Sequence, residues 1–468
     1  MNQHSTTSKG VKEEKSLQAG PLMDELRPMI QIPGNQPSVC IHSGRGTVLV
    51  DNTAYEGPVN VQLELVPKPC IRLCICLGDI PLKSAIGIGL GQMDVNAFTL
   101  DGVDVPGFLT GTGGSCSDGE ELILNWCPSS EPVSGIGDET TQVSRLVCHL
   151  FNFRQVFGVQ RTVETHEKGT CATEHIPLSW KSWRAELRSL HSSSQAFKDI
   201  KEKGGVFLTH VLGFEKVKGE SFTAKEADAF LLGLRFFLSF AKGSWCNPVC
   251  PVGIDCKEQS VWSQFSSPNH SLGSRSSWFD PHTPIQLAQA FPLFMEKWTD
   301  LNWQEAFREV IYWYMNANSS SNGIDGGIIL AQAALERLAF EFAVKDKRLI
   351  TAMGFKDLRA SDKLRILFSS VGIPLDISTA TPETKAYAKK NNWLDAPHAL
   401  TEIRNSLMHP EHKKKGEFNS LFYEAWKLCL WYLEMSILAI CGYSGTYGNR
   451  LKQRRVGQVE NVPWSEGE

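Results

Sequence analysis

The sequence predicts an α+β protein: an N-terminal β-rich domain, a mixed α/β middle region and a C-terminal all-α helical bundle. Three observations carry this expectation. At 468 residues the chain exceeds what one hydrophobic core usually holds, so several domains are expected. Between residues 44 and 165, runs such as GTVLVDN, VNVQLELV, CIRLCICLG and ELILNW are short and separated by Gly, Pro, Asn and Asp. That is the texture of antiparallel strands joined by turns. Beyond Pro284 the apolar residues recur every three or four positions, the period of a helix.

Taken in order, residues 1–40 hold few large apolar residues and no period, so they are expected to be a disordered or loosely attached arm. The β-rich domain is set at residues 41–170. Within it Cys70, Cys74 and Cys76 fall at even spacing with Arg72, so a strand presents all four on one face. Residues 171–284 are mixed. GGVFLTHVLGFE has strand character, and Thr223-Ala-Lys-Glu226 is a capping box opening a helix that buries Ala227, Phe230, Leu231, Leu234 and Leu238. Residues 257–285, rich in Ser, Asn, His and Pro, are expected to form a linker or long loop.

The helical domain is set at residues 285–445, with a polar tail at 446–468. Asn302 and Glu305 form a capping-box variant, and Ile328, Ala331, Leu335, Leu338 and Phe342 share one face. Thr381-Pro382 gives an N-cap with proline in the first position. Asp395 can cap a helix that buries Leu400, Ile403 and Leu407, and the last helix, from about Asn419 to Cys441, stops at Gly442. Short connections favour antiparallel neighbours, so residues 320–445 are expected to form a bundle.

Composition narrows the function. The formal net charge is −4, but residues 321–468 carry 20 basic against 17 acidic residues and residues 1–320 carry 27 against 34. Bulk coating of nucleic acid is excluded, and a local basic site is not. Thirteen cysteines without an apolar leader predict reduced thiols and a cytoplasmic protein. The most apolar late segment carries Glu424, Lys427 and Glu434, which predicts no membrane span.

The stretch EIRNSLMHP holds the candidate chemistry. Pro410 disfavours helical geometry at His409, which ends the helix there and places the imidazole among unpaired carbonyls that favour its cationic form. Arg404 lies about 7.5 Å earlier along the axis and about 140° away in azimuth. The pair therefore cannot share one face of a straight helix. A guanidinium grips two phosphate oxygens, and an imidazole takes or gives a proton near neutral pH. Together they suit metal-independent cleavage of RNA through a 2′,3′-cyclic phosphate, with a second histidine from another subunit on the far side. The same spacing also suits a solvated helix end.

EIRNSLMHP resembles the Arg-x4–6-His signature of the HEPN superfamily, in its Arg-Asn-x-x-x-His form, and LAQAALERLAFEF is similar to the first helix of that fold. The resemblance covers residues 320–445, about a quarter of the chain. It implies a dimeric bundle of four or five helices, RNase activity without a cofactor, Arg404 and His409 as catalytic residues, and Asn405 in support. A β-rich region before such a domain also resembles the ApeA-like abortive-infection proteins, which implies antiviral defence. Glu336, beside Arg337 on the similar helix, is a candidate to orient Arg404 or else a solvated acid. Lys413, Lys414 and Lys415 can track an RNA backbone or simply face water.

Other motifs weigh less. Cys246, Cys250 and Cys256 with a distant His270 lack the paired spacing of structural zinc sites, so no metal is expected. The glycine-rich runs from Gly87 and Gly111 lack the residues of a dinucleotide fingerprint or a P-loop. Cys148 and His149 are neighbours on a strand pattern and should diverge, which makes His149 a core histidine. Two rivals stand beside the RNase reading: a non-catalytic RNA- or partner-binding module, and a ligand-sensing regulator acting through the N-terminal region.

Overall fold

A computed structural model describes residues 23, 26–32, 36–78, 88, 91, 95–114, 122–157, 160–166, 169–190, 193–203, 205–268, 275–319, 323–408, 419–453, 455 and 457–467. The architecture is α+β, with two antiparallel sheets followed by a helical region.

The first sheet contains β1 (Ser38–Val50), β2 (Thr53–Glu64), β3 (Cys70–Leu77), β4 (Val95–Leu100), β5 (Val103–Asp104), β6 (Gly107–Gly114) and β7 (Leu122–Pro128), ordered β5-β4-β1-β2-β3-β7-β6. Asp51 and Asn52, with φ of 45° and 67°, close the β1–β2 hairpin between Val50 and Thr53. Two positive φ values in a two-residue loop match the twist of the strands it joins. In β3, Ile71, Leu73, Ile75 and Leu77 are buried, while Cys70, Arg72, Cys74 and Cys76 share the other face, as their spacing predicts.

The second sheet draws on β8 (Val133–Ser134), β10 (Arg145–Phe151), β11 (Gln160–His166), β12 (Gly169–Trp180), β13 (Trp183–Ser189), β14 (Leu208–Lys216), β16 (Val249–Ile254) and β17 (Ser260–Phe265). Its order is β11-β12-β13-β14-β10-β16-β17-β8, and β9 (Gln142–Val143) pairs separately with β15 (Phe222–Thr223). The division expected at residue 170 falls inside the β11–β12 hairpin, where His166 pairs with Gly169. The sheets divide instead between Pro128 and Val133. Ser260–Phe265, expected within a linker, forms a strand because Val252 and Gly253 of β16 offer it a free edge.

Helix α1 (Ser193–Lys203) crosses between β13 and β14, and α2 (Ala224–Lys242) covers the sheet. Thr223 and Glu226 cap α2 reciprocally, and Gly243 (φ 74°) ends it. Next come α3 (Ile285–Trp298), α4 (Leu301–Ala317), α5 (Gly323–Phe340), a π-helical turn at Glu341–Asp346, α6 (Ala352–Asp357), α7 (Ala360–Ser370), α8 (Pro382–Asn391), α9 (Ala396–Met408) and α10 (Asn419–Ile440). Ile328, Ala331, Leu335, Leu338 and Phe342 are all buried, as expected. Phe230 of α2 stacks on Trp183 of β13 at 4.6 Å and meets Phe291 of α3 edge-on at 6.1 Å. The middle region and the helices therefore share one continuous core.

Part of the expected loose arm is bound. Met23 and Leu26 are buried against Val147, Val211 and Ile254 on the outer face of the second sheet. Gly213 makes room for them, since a Cβ there would lie 2.6 Å from Leu26 Cδ1. Arg188 donates to the carbonyls of Leu26 (3.0 Å) and Met23 (2.7 Å), and the Met23 amide donates to Glu186 at 2.7 Å. The expected polar tail is also folded back. Thr446–Tyr447 pairs with Glu460–Asn461, and Val462 is fully buried.

Candidate functional site

Helix α9 carries the candidate arginine, and its local chemistry explains its placement. Asp395 accepts from the His398 amide at 2.9 Å, capping the N-terminus, and is itself gripped by Arg365 at 2.8 and 3.0 Å. Ala399, Leu400 and Ile403 are buried and Leu407 packs against the same core, which seats the helix on α5, α7 and α10. Gln332 of α5 donates to the Leu400 carbonyl and ties the middle of the helix to the bundle.

Those anchors turn Arg404 partly outward. Its Nε is buried without a hydrogen-bond partner, and Nη1 donates a long bond, 3.4 Å, to Asn405 Oδ1. Three other arginines of the bundle are neutralised: Arg337 by Glu309 and Glu341, Arg365 by Asp362 and Asp395, and Arg450 by Glu434, whereas Arg308, Arg348 and Arg359, like Arg404, have no ion pair among the described residues. Among the described residues, no carboxylate pairs with Arg404. Glu336 does not orient it, because its carboxylate faces Lys363 Nζ at 3.8 Å. The described part of α9 ends at Met408. His409, Pro410, Lys413, Lys414 and Lys415 lie outside the described residues.

Residues 138–274 match the family model for the YopA central domain, and residues 300–461 match that for the YopA C-terminal domain. The chain is 30% identical over 447 residues to the SPbeta prophage-derived uncharacterized protein YopA of Bacillus subtilis (strain 168), covering 92% of this chain and 95% of that one. The chain belongs to the YopA family. No solved structure matches it. The YopA central-domain match takes in β9 to β17, that is the strands of the second sheet after β8 and the separate β9–β15 pair, together with α1 and α2. The YopA C-terminal match runs from α4 to the folded-back tail and includes Arg404 and His409.

Elsewhere in this YopA-family chain, the remaining candidates divide by burial. Cys246 and Cys250 are buried, which raises their thiol pKa values to about 11 and about 12, while Cys256 is exposed. Among the described residues no group of three His, Cys, Asp or Glu side chains is placed to hold a metal, and His270 lies outside them. His149 is fully buried: its Nε2 accepts from the amides of Met29 (3.0 Å) and Ile30 (3.3 Å), and Nδ1 donates toward the Val249 and Cys250 carbonyls, each at 3.2 Å. Arg450, in a basic run after the last helix, is buried in an ion pair with Glu434. No helix among the described residues is long and apolar enough to cross a membrane.

One feature escaped sequence reasoning. A cleft of about 1120 Å³, lined in part by Lys385, Lys389, Trp393 and Asp395, opens at the N-terminal end of α9. Arg404 lies nine residues farther on, about 13.5 Å along the helix. Lys385 and Lys389 share a helix face at i, i+4, the only local signal for this cleft.

Proposed function

We propose that the chain is a metal-independent endoribonuclease of HEPN type, working as a homodimer in an antiviral or toxin-like role. The observation that supports this most is Arg404: a half-buried guanidinium, uncompensated by acid among the described residues, four residues before Met408, where the described part of the helix ends just ahead of His409. A cation held in that state is suited to an anionic ligand, and its planar fork matches two phosphate oxygens. Asn405 steadies it. His409 takes the proton from a 2′-hydroxyl, the 2′-oxygen attacks phosphorus, and the bond to the 5′-oxygen breaks as that oxygen receives a proton. The products are a 2′,3′-cyclic phosphate and a 5′-hydroxyl. Base and acid must stand on opposite sides of phosphorus, so the second imidazole comes from the partner chain. Lys413, Lys414 and Lys415 would follow the RNA backbone. The relative's prophage origin suits an effector in conflict between phage and host.

The test is incubation of the purified chain with labelled RNA in EDTA, beside Arg404→Ala and His409→Ala. Cleavage leaving cyclic phosphate ends is expected, falling at least about 100-fold in each variant. Cleavage indifferent to both substitutions would sink the proposal. No cleavage, with RNA binding weakened by His409→Ala, would point to a non-catalytic binding module.

A further inference from the structure

Four residues of α2 share one face at the spacing i, i+3, i+4, i+7: Asp228, Leu231, Leu232 and Arg235. They form one wall of a cavity of about 480 Å³, lined on the other side by residues of β16, β17 and the turns beside them and by Glu131 ahead of β8, whose carboxylate is already engaged by the Ile71 and Ser267 amides. Small-ligand sites span roughly 300–1,000 Å³. The wall has an order: an acid, two leucines, a base. Its α-carbons at Asp228 and Arg235 lie about 10.5 Å apart along the helix.

The two charges do not hold each other. Arg235 Nε is buried without a hydrogen-bond partner, and the guanidinium stands 5.5 Å from the centre of the Trp245 ring. Burial and nearby Arg308 both push its pKa down, and no acid offsets them. Asp228 accepts one long bond, 3.4 Å, from Gln264. Burial above all, with Glu139 adding to it, pushes its carboxyl pKa up. Each group is thus partly desolvated beside an apolar pair, with its charge incompletely answered.

We propose that this cavity binds a small zwitterion with an apolar body, of the amino-acid or dipeptide class. Its carboxylate lies on Arg235, its ammonium on Asp228 and its side chains on Leu231 and Leu232. A simple anion would answer Arg235 and leave Asp228 unpaired, and a simple cation would do the reverse. A ligand with both charges answers both, and the order along α2 fixes its direction. This site lies in the central domain and is independent of the Arg404 reading.

The full chain is titrated calorimetrically with leucine, leucyl-leucine, N-acetyl-leucyl-leucine and leucyl-leucinamide. Saturable binding of a free-ended probe is expected, weakened about tenfold or more by blocking either end. Arg235→Gln should abolish the discrimination against the amide, and Asp228→Asn that against the acetyl form. Circular dichroism confirms that the variants are folded, and the blocked ligands test the unaltered chain in any case. Binding of leucine alone assigns the site to free amino acids, and binding of the dipeptide alone to peptide ends. The proposal is overturned if neither free-ended probe binds at about 10 mM, or if blocked and free ligands bind alike.

Discussion

His149 shows how far a single residue's behaviour is set by what covers it. Burial lowers its pKa to about 4, and burial lowers that of His210 to about 3, against an ordinary value near 6.5. The sign follows from linkage. Between those values the unfolded chain binds protons that the folded chain refuses, so stability is full above about pH 6.5 and falls as pH drops toward about 4. At pH 5 each histidine should cost about 2 kcal/mol relative to pH 7, read from urea unfolding at the two pH values. A midpoint unchanged between them would refute the assignment. That His149 belongs to the core was legible from strand alternation. That its outer face is closed by Met29 and Ile30 was not, because nothing local links residues 120 positions apart. Helix α9, which carries Arg404 and Asn405, was legible for the opposite reason: Leu400, Ile403 and Leu407 give its period within one short run.

Among elements, the caps separate what is local from what is not. The Thr223–Glu226 box spans four residues and was fully readable. Asn302 was expected to open α4, yet Asp300 does so by accepting from the Asn302 amide at 3.0 Å. Both are good caps two positions apart, and the earlier carboxylate is the one that answers an orphan N–H. Thr381 gives α8 no side-chain cap. Glu424 of α10 accepts instead from the Thr384 amide at 2.8 Å, a partner no local pattern reveals. The deepest tie between elements is the buried cluster where Tyr314 of α4 and Arg450 of the tail converge on Glu434 of α10. Arg450 also donates to the Ser276 carbonyl at 2.8 Å. Arg450→Met should therefore destabilise the chain by about 3–5 kcal/mol, because it strands a buried carboxylate. A loss below about 1 kcal/mol in urea unfolding would show the pair to be a surface-like contact.

For the molecule as a whole, the α+β class and the β-to-α order were legible from period alone. The partition was not, since the second sheet and the helices fuse into one core through side chains far apart in sequence. The proposed RNase places a further demand on the assembly. In-line cleavage needs a base and an acid on opposite sides of phosphorus, and one chain offers His409 alone for the two roles, so one chain supplies an incomplete site. Sedimentation should therefore show a dimer, and cleavage per chain should fall as dilution dissociates it. Constant specific activity in a monomer would rule out the shared site.

The bound N-terminal segment also sets a schedule for the growing chain. Met23 finds Glu186 across 163 residues, and is made that much earlier. At synthesis rates of about 5–20 residues per second, it waits roughly 10–30 seconds for its partner strand. The segment is thus made well before the strands that seat it, and until it docks the outer face of the second sheet stays open to whatever meets it.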